Sequence, residues 1–405
     1  TGGRRLADRL MGVLARLLVH VFFRRVAVEG ALPTAGPVLV VANHQNGLVD
    51  GLLLMSSLGR YPRFLGKSTL WRILPLRPFL ALAGVIPVHR PVDGEPAAGN
   101  DRTFEVSRHL LAHRGVVAVF PEGISHDEVA LQPLRTGAAR IALGAAAEDG
   151  VAGMVVVPVG LTYDAKARFR SRALVRVGTP VPLDGWLSAY RDDAHSAVRT
   201  LTDRIAVGLS AVSPDEERGP AWLGLRSRQP TGGTGRGAVN LLIVLLGLPV
   251  AAVGVAVHVL PYMLMKRVAM KPANEGIKAT VKLLGCFLLF TVVYAALAVA
   301  VALHFGVLAG LVAFVASPLS GYVAVRLAER VLSGRGPVEG GDDLAEAFEH
   351  PWSGGIGEGD DGGLDPGLGQ EPVAPDVVLD RAGAQPVDLV AQPGHLAAAA
   401  HHAGR

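Results

Sequence analysis

The sequence predicts an α/β domain followed by an α-helical membrane region and a disordered tail. Three observations carry this. From Pro37 to about Leu209, short β-branched apolar runs alternate with amphipathic stretches, the pattern of strands and helices packed in layers. Beyond that, three long segments contain no Asp, Glu, Lys or Arg, in a chain of 405 residues whose mean hydropathy is +0.36. From Gly336 on, Gly, Asp, Pro and Ala dominate, and such a stretch buries too little apolar area to offset the entropy of ordering.

Taken in order, Arg4 to Arg25 carries Leu6, Leu10, Val13, Leu14, Leu17, Leu18, Val21 and Phe22 at helical spacing, flanked by arginines. Residues 1–29 are therefore expected to form a basic amphipathic helix, either lying on an anionic lipid surface or packed on the domain that follows. Arginines interrupt its apolar run, unlike a cleavable signal peptide. The α/β domain is placed at 30–212. Strands are expected at Val38–Ala42, Val85–Val88, Val116–Phe120, Val155–Val159 and Leu174–Val177. Helices are expected at Leu48–Leu58, Leu70–Ala83, Thr103–His113, Thr136–Ala147 and Ser196–Leu209. Residues 213–237, ending in PTGGTGRG, read as a linker.

The membrane region is expected over 238–330 and the disordered tail over 331–405. Leu283–Leu303 and Phe305–Val325 each have about the length that spans a hydrocarbon core, and with only His304 between them they form a helical hairpin, 283–325. The segment 238–265 poses a topological problem. Arg226, Arg228 and Arg236 precede it, Lys266, Arg267, Lys271, Lys278 and Lys282 follow it, and Arg326, Arg330 and Arg335 follow the hairpin. The positive-inside rule puts all three flanks in the cytoplasm, which one crossing cannot do. The segment is accordingly read as re-entrant, turning near Gly247-Leu248-Pro249, or as a plain span that violates the rule. The body is basic and the tail acidic, within a net charge of +4; a basic body with apolar spans suits an anionic phospholipid surface or a phosphorylated substrate. The single cysteine, Cys286, excludes an intrachain disulfide.

Four blocks stand out within the α/β domain. They are Asn43-His44 with Asp50; Gly84 to Arg90 (GVIPVHR), preceded by Lys67 and Trp71; Phe120-Pro121-Glu122-Gly123; and Val157-Pro158-Val159-Gly160. In this order and at these separations the chain resembles the glycerolipid acyltransferase superfamily over about residues 36 to 182. Its members move a fatty acyl group from acyl-CoA or acyl carrier protein onto glycerol phosphates. The usual block has four residues between His and Asp. Here there are five, with Asn46 in place of the usual Ser. That detail, and the run FPEGISHDEVALQPLRTGAARIAL, look like the branch of yeast-type glycerol-3-phosphate and dihydroxyacetone-phosphate acyltransferases, which also carry membrane segments after the catalytic domain. One extra residue turns a helical position by about 100°, so part of the insert must lie in a loop before the helix, where Gly47 is suited to it.

The resemblance implies a mixed sheet flanked by helices and assigns roles to residues. His44 would be the general base on the acceptor hydroxyl and Asp50 its orienting carboxylate. Arg90 would bind the acceptor phosphate, with Lys67 and Arg135 as second-rank partners. Asn43, Glu122 and Gly123 complete the substrate-binding set. Glu122 would accept from a substrate hydroxyl or, alternatively, pair with a nearby cation. His126-Asp127 would lie behind the site or in a substrate-contacting loop. No elbow motif supplies a nucleophile, so direct transfer is expected, with no cofactor and no metal. The implied protein is a membrane O-acyltransferase in phospholipid synthesis, in the cell membrane with its catalytic domain facing the cytoplasm. Its acceptor would be glycerol 3-phosphate, alternatively 1-acylglycerol 3-phosphate (lysophosphatidate). Its partners would be acyl-CoA or acyl carrier protein and membrane lipids, with no nucleic acid. A non-catalytic lipid-binding protein is the competing class, against which the intact His44, Asp50, Arg90 and Glu122 argue.

Overall fold

The computed structural model describes residues 2–90, 93–94, 100–214, 235–272 and 275–333. The expected linker lies outside them over 215–234, and the expected disordered tail from 334 on. Helix α1 (Gly2–Phe22) runs directly into strand β1 (Phe23–Glu29), and the chain continues as β2 (Val38–Ala42), α2 (Leu48–Ser57) and β3 (Pro62–Lys67). Two 3-10 turns, Ser68–Arg72 and Leu74–Leu76, then lead to α3 (Arg77–Ala83) and β4 (Ile86–Val88). Next come α4 (Asp101–Ala112), β5 (Val116–Val119), α5 (Gly137–Leu143), β6 (Val155–Tyr163), β7 (Ser171–Val177), β8 (Val181–Pro182), α6 (Leu187–Asp192) and α7 (Ala194–Ser210).

The strands form one sheet in the order β1-β7-β6-β2-β5-β3-β4, with β8 paired to β6. It is mixed: β6 runs antiparallel to β7 and β8, while the other pairs are parallel. β2 lies between β5 and β6 and is buried along its whole length, as a β-branched run covered on both faces requires. Residues of opposite parity feed two cores. Val38, Val40 and Ala42 face Val49, Leu53 and Phe22; Leu39 and Val41 face Leu111, Ile141 and Leu201. Both cores hold the carboxyl end of β2 still, and the site grows from that end.

Two expectations are corrected at the N-terminal side. Residues 23–29 are not helix but the edge strand β1, parallel to β7, because alternation in FRRVAVE takes over where the helical period stops. The predicted helix Leu70–Ala83 is broken, since Pro75 and Pro78 leave only α3. α1 itself has two apolar faces. Met11, Ala15, Val19 and Phe22 are buried in the domain, while Leu6, Leu10, Val13 and Leu17 are exposed beside the exposed Arg5, Arg9 and Arg16.

After the α/β domain come α8 (Gly235–Ala269), α9 (Glu275–Thr280), a π turn Val281–Gly285, α10 (Cys286–Phe305) and α11 (Val307–Ser333). Among the described residues, Ile243–Ala269, Gly276–Phe305 and Val307–Val331 are long and apolar enough to cross a membrane. Gly306, at φ 91°, makes the tight turn between α10 and α11. A reversal at Gly247-Leu248-Pro249 does not occur: α8 is unbroken there. A proline removes one helix hydrogen bond and bends the axis, but does not turn the chain back.

The helices are fastened to the domain at several points. Arg170, at the start of β7, pairs with Glu329 of α11 at 2.6 Å, both side chains almost fully buried, and donates to the carbonyls of His20, Val21 and Phe23. Two points on α8 lie close to this pair. Gly247 packs against Leu327, two residues before Glu329, and Tyr262 meets Phe169 at 6.0 Å between ring centroids. Between these points Gly254 packs on Ser320 and His258 hydrogen-bonds to Tyr294, so α8 packs against both helices of the α10–α11 hairpin. Removing one partner of a buried pair leaves an uncompensated charge. Glu329→Ala should therefore lose on the order of 3 kcal/mol of stability, read as a lower midpoint in detergent denaturation, and Arg170→Ala should not add to that loss in the double variant.

Candidate active site

The site begins where β2 ends. Gln45, Asn46 and Gly47 form a loop before α2, and Gly47 has φ 55° and ψ −130°, a conformation open to glycine. Asp50 therefore stands in the first turn of α2, where the helix dipole favours a carboxylate. It is fully buried and receives three donors. Its Oδ2 lies 2.9 Å from His44 Nδ1 and 2.8 Å from the Asn46 N–H, and its Oδ1 lies 2.5 Å from the Tyr163 hydroxyl. A proton on Nδ1, held by the carboxylate, leaves Nε2 as an acceptor. Phe120 stacks on the His44 ring at 4.1 Å and 12°, fixing its plane. Burial, followed by the Asp50 charge, pushes the Tyr163 hydroxyl well above its ordinary range, so it stays protonated and remains a donor.

Glu122 lies behind His44 and touches no open space. Oε1 accepts from the His44 N–H at 2.7 Å; Oε2 lies 2.5 Å from His126 Nε2 and accepts from the Gln132 N–H at 2.8 Å. Acceptance from a substrate hydroxyl is corrected here, since both oxygens are occupied and the side chain is buried. Asn43 is also corrected as a substrate ligand. Its amide exchanges two hydrogen bonds with the Leu161 backbone, at 2.9 and 2.7 Å, and so ties the end of β2 to β6. His126 thus supports Glu122, and Asp127 pairs with Lys166 at 2.8 Å.

The cationic side of the site is built on Arg90. It donates to the Gly123 carbonyl and, in bidentate fashion, to Asp93 at 2.7 and 3.0 Å. Those hydrogen bonds, with the charges of Arg90, Lys67 and Arg72, hold the Asp93 carboxyl below its ordinary range. The charges of Arg90, Lys67 and Arg72 thus all act on Asp93, and the stem of Arg135 lies beside Gly123. A planar guanidinium already gripping a carboxylate in two places has the geometry to grip a phosphate. Among the described residues, no three His, Cys, Asp or Glu side chains gather as metal ligands would.

A family model described as Acyltransferase matches residues 24–162, the stretch that holds His44, Asp50, Arg90 and Glu122. The bovine protein named 1-acyl-sn-glycerol-3-phosphate acyltransferase alpha is 34% identical over 217 residues, covering 50% of this chain and 68% of that one. The chain belongs to the acyltransferase family. A Saccharomyces cerevisiae protein named Glycerol-3-phosphate O-acyltransferase 2 is 39% identical over 115 residues, 28% of this chain but only 16% of the yeast protein. A solved acyltransferase, PlsC from Thermotoga maritima, aligns with 51% of this chain and 81% of its own, at 19% identity and a TM-score of 0.38.

In this family member the loop carrying the His–Asp pair is also held from outside the family-matched stretch. The Thr280 hydroxyl accepts from the Leu48 N–H at 3.2 Å, capping the first turn of α2, while Ser125 accepts from the Gly47 N–H at 3.1 Å. Ala279 and Leu283 are buried in the same core as Val49 and Leu53. Gly276 packs so tightly that a Cβ there would stand 3.0 Å from the Gln45 carbonyl and 3.1 Å from Asn46 Cα. Tyr163, Phe120, Ser125 and Thr280 are not among the predicted site residues. Gly276→Val should push α9 off the loop and raise amide exchange of residues 44–50 about tenfold or more, measured by mass spectrometry, with exchange in β5 unchanged. Thr280→Ser should keep the native protection.

Proposed function

We propose that the chain is a membrane O-acyltransferase that transfers a fatty acyl group from acyl-CoA or acyl carrier protein to the hydroxyl of glycerol 3-phosphate. The single observation that carries this is His44, held by Asp50 with Nε2 free to accept a proton, in the same site as a bidentate arginine. In the reaction His44 takes the acceptor hydroxyl's proton as its oxygen attacks the thioester carbonyl. The tetrahedral intermediate expels the thiolate, and the imidazolium returns the proton to sulfur. The acceptor's phosphate displaces Asp93 from Arg90, with Lys67 adding charge. A second reading, acylation of 1-acylglycerol 3-phosphate to phosphatidate, is supported by the bovine relative, of which the alignment covers 68%.

The catalytic domain faces the cytoplasm and rests on the cell membrane. Exposed leucines of α1 enter the interface between arginines, and α10 and α11 cross as a hairpin. α8 packs against that hairpin and is immersed from the cytoplasmic side. All three basic flanks then stay in the cytoplasm without a broken helix.

Purified protein assayed with labelled acyl-CoA against glycerol 3-phosphate, dihydroxyacetone phosphate and lysophosphatidate tests the acceptor, with glycerol 3-phosphate expected to turn over fastest. His44→Ala should abolish transfer while the protein stays folded. Arg90→Ala should raise KM for the phosphorylated acceptor at least tenfold and leave that for the donor nearly unchanged, as loss of a charge-assisted pair implies. Asp93→Asn should lower the acceptor KM by removing the competing anion. Equal effects on both substrates would refute the phosphate role of Arg90. A topology reporter inserted after Met270 should read on the same side as the catalytic domain; an opposite reading makes α8 a span.

A further inference from the structure

Three large apolar side chains stand open to the outside in the connection from β3 to β4: Ile73 at 50% exposure, Leu74 at 68% and Leu82 at 41%. Leu74, Pro78 and Leu82 recur every fourth residue, which places them along one side of the turn and α3, and Arg72 and Arg77 are exposed beside them. Scattered surface leucines need no explanation. What singles these out is Phe79, in the middle of the run. Its ring meets Phe287 edge to face at 5.9 Å between centroids. Phe287 belongs to α10 and stands four residues past Leu283, where the stretch without Asp, Glu, Lys or Arg begins. That is about 6 Å into the stretch, so α3 reaches the depth of the hydrocarbon boundary when α10 crosses a membrane. On the other flank Arg4 donates to the Ala81 carbonyl at 3.2 Å, which sets the start of α1, with Leu6 and Leu10 exposed, beside the end of α3.

We propose that residues 71–82 form a further membrane-seated element, with Ile73, Leu74 and Leu82 immersed in the bilayer at the level of the upper acyl chains. The inference rests on the membrane reading of α1 and the hairpin. A bilayer fits this face better than a second copy of the chain. Both flanks, α1 and α10, are elements which that reading already places in lipid, and arginines stand among the apolar side chains here as they do on α1. Such arginines lay their stems on apolar surface and carry their charge to the headgroups. The placement also bears on the chemistry. Lys67 ends β3 just before the turn and pairs in register with Val88 of β4, two residues before Arg90. A turn seated in the bilayer holds both cations near the plane of the lipid phosphates, so an acylated phosphate product leaves directly into the membrane.

The test uses the full chain with Cys286→Ala, checked for an unchanged melting temperature, and a bimane fluorophore on one added cysteine: Leu74→Cys, Leu10→Cys or Val207→Cys. Val207, exposed on α7 across the sheet, is the control that faces water. In phosphatidylcholine nanodiscs, lipids with a doxyl group near the head end of the acyl chain should quench the Leu74 probe several-fold more than the Val207 probe. Iodide in the buffer should show the reverse order. Quenching of the Leu74 probe by iodide and not by doxyl lipid would overturn the proposal. So would protection from both quenchers, the mark of a second copy over this face. Doxyl quenching at Leu10 without quenching at Leu74 would refute this element alone, and quenching at neither would refute the membrane reading of α1 as well. In the unsubstituted chain, a phosphatidylcholine with a diazirine at the same depth should crosslink within residues 71–82; crosslinks confined to α8, α10 and α11 would count against the proposal. No acyl transfer is measured, so a failure here is distinct from a failure of the acyltransferase reading.

Discussion

Everything at the site depends on the buried carboxylate of Asp50. An isolated carboxylate is expensive to place in a protein interior, and it stays there only where donors replace its water. Asp50 has three: a ring nitrogen, a backbone amide and a phenol, with a helix N-terminus behind them. His44 and Asn46 come from the loop that follows β2 and Tyr163 from the end of β6, so the pairing of β2 with β6 is what assembles them. Glu122, one strand further along, performs the same service for the backbone. It holds the His44 amide on one oxygen and the following loop on the other. Asp50 and Glu122 are thus both supports, one for the imidazole ring and one for its main chain.

How much of this could be read from residues follows from sequence distance. The five-residue spacing from His44 to Asp50 demanded a loop that uses up the extra residue, and Gly47 marked where it would bend. The observed φ of 55° at Gly47 is that bend. The strands expected at 38–42 and 116–120 stood out because both faces are covered and their apolar runs are continuous. β1 and β3 did not, since FRRVAVE and PRFLGK are edge-side strands rich in charge, and the first follows a helix without a break. Tyr163 and Thr280 carried no signal. They reach the loop across 113 and 232 residues respectively, through contacts that no local period encodes. Glu122 and Asn43 were legible as polar groups of a motif, but a motif names residues without saying whether they face the ligand or the scaffold.

The membrane region presents the opposite case, in which charge carries information that hydropathy alone does not. By length and composition α8 is as good a span as α10, and a plain count gives three crossings. Three crossings would put Lys266 to Lys282 on the far side of the bilayer from the catalytic domain. Yet Lys282 donates to Ala167, Thr280 caps α2, and Gly276 touches the His44 loop, so that stretch belongs to the catalytic face. The hairpin's last helix returns to the same face through Glu329 and Arg170. The proposed arrangement, two crossings by the hairpin with α8 kept on the side of the catalytic domain, is consistent with both the contacts and the basic flanks. Re-entrance was one way to keep the flanks together, and it required a broken helix with uncovered carbonyl groups. An unbroken helix that does not cross would keep them together with only the hydrogen bonds at Pro249 and Pro261 missing, the less costly solution in a lipid environment.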